Sequence, residues 1–81
     1  MTIDQCRKIA IEKQRPGKNQ IVFDLIGTDK VIRCQWLDPE NGVFSILGIP
    51  GFIDSRYKTG FLRKFKWCEI IQSEKGGGEK V

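Results

Sequence analysis

A mainly β domain, one N-terminal helix followed by about five short antiparallel strands, is what the sequence predicts. Apolar residues recur at helical spacing near the N-terminus, and from Gln20 onward the period shortens to two. Turn-forming clusters then punctuate the chain: Gly27-Thr28-Asp29, Asp38-Pro39-Glu40-Asn41-Gly42 and Gly48-Ile49-Pro50-Gly51. Eighty-one residues make one small domain, assigned to 1–72, with 73–81 as a flexible tail around Gly76-Gly77-Gly78.

The helix is placed over 3–14. Thr2-Ile3-Asp4-Gln5 has the capping-box pattern, in which the Thr hydroxyl and the Gln side chain satisfy each other's free backbone N–H groups. Ile3, Cys6, Ile9 and Ala10 form its apolar stripe, and Arg15-Pro16-Gly17 ends it because the residue before proline avoids helical geometry. In the first strand Ile21, Phe23 and Leu25 alternate with Val22, Asp24 and Ile26. In the second, Val31 to Leu37, Ile32, Cys34 and Trp36 face opposite to Arg33 and Gln35. Trp36 reads as core or as a subunit contact. The third strand, Val43 to Leu47, opens a run through Ile49 too apolar for a half-exposed strand, which suggests cover on both faces and a protein–protein seam.

Phe52 to Gly60 reads either as a loop or as a short strand at Phe52-Ile53 followed by a loop. Phe61 to Gln72 is assigned to the last strand, with Phe65, Trp67 and Ile71 alternating against Lys64, Lys66, Cys68 and Ile70, while Phe61, Phe65 and Cys68 also fit helical spacing. A sheet of this size curls on itself to cover its apolar face, which predicts a small SH3-like barrel. The rival is an α+β sandwich with the helix on an open antiparallel sheet.

Charge is the most local feature of the chain. Fourteen Lys and Arg face ten Asp and Glu, a formal net charge of +4. Setting aside Arg56, Lys58, Arg63, Lys64 and Lys66 together with Asp54 leaves nine of each sign, so the excess sits between Arg56 and Trp67. The same stretch holds Tyr57, Phe61, Phe65 and Trp67, half of the eight aromatics. Cations suit phosphates and aromatic rings suit bases, which points to nucleic acid, RNA or a single strand, bound electrostatically with little base specificity. Phe65 and Trp67, at strand spacing, are assigned to the core. The candidate site is therefore Arg56, Tyr57, Lys58, Lys64 and Lys66. For the cations a second reading stands beside the first: lysines also protect edge strands, or dock an acidic protein partner.

Other function classes find little support. The chain has no histidine, the usual general acid–base, and its serines lack a nucleophile motif, so no enzymatic activity is expected. Cys6, Cys34 and Cys68 are far apart in sequence and make a poor zinc set; they read as buried hydrophobes of a reducing cytoplasm, with no metal or cofactor. No apolar run reaches the ~20 residues of a membrane span, and the N-terminus lacks a signal-peptide pattern. A soluble, cytoplasmic protein without a membrane partner is the expectation.

The stretch from Gln20 to Glu40, with Ile21, Phe23, Leu25, Gly27, Val31 and Asp38, resembles the first motif of Sm-like proteins, the family of the bacterial RNA chaperone Hfq. Arg33 stands where that family usually has a glycine, and the second motif has no clean counterpart. The resemblance implies an Sm-like barrel, RNA as partner, and a homo-oligomeric ring joined edge to edge.

Overall fold

The computed structural model describes residues 1–13, 21–57 and 60–72. Helix α1 spans Ile3–Lys13, and strands follow at Ile21–Gly27 (β1), Val31–Asp38 (β2), Val43–Ile46 (β3) and Ile53–Asp54 (β4). A short helix α2, Gly60–Arg63, precedes the last strand β5, Phe65–Gln72. The helix end at Arg15-Pro16-Gly17 and the tail 73–81 lie outside the described residues.

The sequence's local signals account for much of this. Thr2 N–H donates to Gln5 Oε1 at 2.7 Å and Gln5 N–H to Thr2 Oγ1 at 3.2 Å, the reciprocal capping box. The β2–β3 connection is a single 3₁₀ turn, Pro39–Asn41, capped by the Asp38 side chain, which accepts from the Asn41 backbone N–H. Gly42 closes the turn at φ 73°, in the left-handed region that side chains disfavour. A Cβ there would stand 2.6 Å from Ser55 Oγ, whose hydroxyl donates to the Gly42 carbonyl at 2.8 Å. Gly42→Ala is therefore expected to cost about 1–3 kcal/mol, read as a lower urea midpoint at unchanged slope; an unchanged midpoint would refute the turn geometry.

The five strands form one antiparallel sheet in the order β4-β3-β2-β1-β5. The sheet is open. Strands β4 and β5 stand at its two edges, with no pairing between them among the described residues, and α1 packs on one face. The strands are mainly β as expected, but alternation along a strand defines faces, not which strands meet.

One face carries the core. Ile21, Phe23 and Leu25 of β1, Cys34 and Trp36 of β2, Phe44 of β3 and Cys68 of β5 are buried with Cys6 and Ala10 of α1. Phe23 stacks on Trp36 with ring centroids 4.7 Å apart, and Phe44 meets both edge-on at 5.1 and 5.5 Å. Trp36 is thus core and not a subunit contact. All three cysteines are free and buried. Burial, then the Asp24 charge, pushes the Cys34 thiol up to about 12. The Cys68 thiol donates to the Thr2 carbonyl at 3.4 Å, and its interaction with the Cys6 thiol drives Cys6 upward and Cys68 downward.

The assignment of faces on β5 is corrected. Ile26 pairs with Trp67 and Gly27 with Phe65, so Lys66 has no opposite number on β1 and forms a β-bulge. The extra residue reverses the alternation. Cys68 and Ile70 face the core, Trp67 and Ile71 lie on the opposite face, and Phe65, beyond the bulge, turns back to pack on Phe61 with centroids 5.1 Å apart. The Phe65 ring lies over Gly27, where a Cβ would meet it at 3.1 Å. The predicted start of this strand is also displaced, since Gly60–Arg63 is helical. Finally, the run Val43 to Ile49 is not covered on both faces within one chain. Leu47 and Ile49 are exposed, as is Phe52 at the end of the same loop.

Candidate nucleic-acid interface

Two sides of the sheet share the predicted site residues. Arg56 and Tyr57 form part of a 3₁₀ turn, Ser55–Tyr57, that follows edge strand β4. Lys64 and Lys66 flank the start of the opposite edge strand, β5. Lys58 lies outside the described residues.

Arg56 is not a free cation. Its Nε and Nη2 donate to the two carboxylate oxygens of Asp54 at 3.0 and 2.7 Å, and its guanidinium lies 5.7 Å from the Tyr57 ring centre. The Arg56 guanidinium holds the Asp54 carboxyl below its ordinary value. The contribution of that pair is present above the unfolded value, near ~3.9, and is lost only as pH falls through the depressed folded value. At neutral pH the pair persists. Asp54→Asn keeps the shape and releases the cation, so this variant is expected to bind an anionic strand more tightly, measured by fluorescence anisotropy at low salt. Unchanged affinity would remove Arg56 from the site.

Lys64 and Lys66 are exposed, and neither lies in an ion pair with another described residue. Exposed Lys30 sits in the β1–β2 turn, whose Gly27 N–H donates to the Lys30 carbonyl at 2.8 Å, and Gly27 is the residue opposite Phe65. The start of β5 and the β1–β2 turn therefore gather Lys30, Lys64 and Lys66 at one end of the sheet, with exposed Asp29 the acid of that turn.

Beside these cations the face away from α1 begins with an apolar row. Register places Trp67, Ile26 and Val31 side by side on β5, β1 and β2. Trp67 is 46% exposed and Val31 57%, enough for the indole to offer a flat surface to a ring. The next row is Glu69, Asp24 and Arg33, where Arg33 Nε donates to Asp24 Oδ1 at 3.0 Å and covers the nearly buried carboxylate. Acidic groups thus confine any anion-binding track to the first row and the β5 end.

Trp67 escaped the sequence reading. A signal was present: Cys68 and Ile70 are the apolar partners in Trp67-Cys68-Glu69-Ile70, and placing those two inward puts Trp67 outward. Lys30 was missed because only the register brings its turn to β5.

At the same corner, Thr2, Ile3, Leu25, Leu62, Phe65, Lys66 and Trp67 line a hollow of about 230 Å³. A second hollow of about 180 Å³ lies in the β3–β4 loop, lined by Ile46, Ile49, Pro50, Gly51, Phe52 and Ile53. Among the described residues no three His, Cys, Asp or Glu side chains form a group that could hold a metal ion. None of their helices is long and apolar enough to cross a membrane. No protein-family model, curated protein or solved structure matches the chain.

Proposed function

We propose that this protein is a non-enzymatic nucleic-acid-binding module that takes a single strand, RNA or DNA, at the β5 end of its sheet. The observation that carries this reading is the exposed Trp67 standing beside Lys64 and Lys66, neither of which is in an ion pair among the described residues. The lysines, with Lys30, draw the phosphates, and each contact adds salt dependence through counterion release. The Trp67 ring accepts a base by stacking, worth about 1–3 kcal/mol and tolerant of sequence. Arg56 and Tyr57 extend the basic surface at the other edge once Asp54 no longer claims the guanidinium. The free, buried thiols suit a reducing cytoplasm.

A homo-oligomer, with the small-barrel, Sm-like identity, belongs to the same proposal. Edge strands leave backbone groups for a second chain to pair with, and β4 and β5 both stand at edges. The Cys68 N–H of β5 is already taken by the Met1 carbonyl at 3.0 Å. Exposed Leu47, Ile49 and Phe52 give copies an uncharged contact at the β3–β4 loop. Light scattering tests this part, and a monomer at working concentration removes it.

The central test is anisotropy of labelled single-stranded RNA and DNA between low and physiological salt. Binding that weakens steeply with salt is the expected result. Absent binding at low salt, with capture of an acidic polypeptide instead, would turn the reading to a protein-docking module.

A further inference from the structure

The hollow at the corner of α1, α2 and β5 has the composition of a ring pocket with a phosphate anchor. Ile3, Leu25 and Leu62 supply apolar walls, Phe65 supplies an aromatic one, and Lys66 and Trp67 border it along β5. Its lining contains a cation and no acid. At about 230 Å³ it falls below the roughly 300–1,000 Å³ of sites for drug-sized ligands, so it suits a single ring system and excludes a large cofactor. The bulge makes the site. With regular pairing in place of the bulge, strand alternation would carry Phe65 to the face that bears Trp67, away from Ile3, Leu25 and Leu62.

We propose that this hollow receives one unstacked nucleobase of a bound single strand, held against Phe65, with the adjoining phosphate on Lys66. The inference rests on the nucleic-acid reading above and goes further. It makes the protein selective for unpaired bases, since a base inside a duplex cannot enter. The occupant is argued from charge and shape together: apolar and aromatic walls for a ring, and a lysine for the anion attached to it.

Three strands of one length separate the possibilities: a single-stranded oligonucleotide, the same sequence annealed as a duplex, and an abasic strand that keeps the phosphates without the bases. The intact single strand is expected to bind about 5- to 150-fold more tightly than the abasic strand, the worth of one stacked base. It should also outbind the duplex and change the tryptophan fluorescence. Leu62→Trp, which crowds the hollow from α2, should bring the single strand down to the abasic level while leaving abasic binding unchanged. Equal affinity for intact and abasic strands, or for single strand and duplex, overturns the base pocket and leaves electrostatic binding standing. Because the strand comparison uses the unaltered protein, it decides the matter even if Leu62→Trp misfolds. If no strand binds at low salt, both this inference and the function it rests on are overturned.

Discussion

Phe23→Ala is expected to remove a large share of the stability of the domain. Phe23 is fully buried, stacked on Trp36 and met edge-on by Phe44. Truncation of a buried phenylalanine loses its transfer free energy and leaves a cavity, together about 3–5 kcal/mol. At about 0.05–0.15 kcal/mol per residue, a chain of this size holds roughly 4–12 kcal/mol in all. The substitution therefore uses up a large share of the margin, and at the lower end unfolds the protein at 25 °C. Urea titration followed by far-UV circular dichroism reads the effect. A loss below about 1 kcal/mol would mean that the three rings are not the core.

The contrast between β1 and β5 explains how much of this fold the sequence disclosed. From Val22 to Ile26 of β1 and from Val31 to Gln35 of β2 every residue has a partner in register, so the period of two survives from sequence to structure and puts Phe23, Cys34 and Trp36 on the correct face. In β5 the bulge at Lys66 adds a residue without adding a signal. Two aromatics spaced i, i+2 then look like one face and are two. The four-residue helix Gly60–Arg63 was equally hidden, because one turn is too short to establish a helical period. Openness of the sheet was beyond reach for a different reason. It depends on β4 being only two residues long and on β5 pairing with β1, facts of long-range register that no local pattern encodes.

The site was legible as composition and not as geometry. The excess charge between Arg56 and Trp67 was plain in the sequence, but two features redistribute it. Asp54, immediately outside the stretch, ties down Arg56, and the chain carries Arg56 and Lys66 to opposite edges of the sheet. What survives as one surface is the second half of the stretch, joined by Lys30 from a distant turn. Trp67, assigned to the core with Phe65, becomes the exposed ring of that surface.

Reversing the two lysines of that surface separates a local site from a general attraction to positive charge. Lys64→Glu with Lys66→Glu changes the net charge from +4 to 0, since each substitution removes one positive and adds one negative. Lys8→Glu with Lys13→Glu makes the same change on the exposed side of α1. If binding followed net charge alone, the two variants would behave alike. If phosphates sit on Lys64 and Lys66, the β5 variant alone loses two contacts. The slope of log affinity against log salt should then flatten by about 1.4, and repulsion from the new carboxylates should lower affinity further. The α1 variant should retain a slope near that of the unaltered protein, because few phosphates lie within a Debye length, about 10 Å at 0.1 M salt, of its charges. Its last-turn Lys13 also supports the helix dipole, at a cost of about 0.3–1 kcal/mol when reversed, which circular dichroism detects separately. Equal salt slopes in the two variants would place the nucleic acid somewhere other than the β5 end, and the exposed indole would then need another partner.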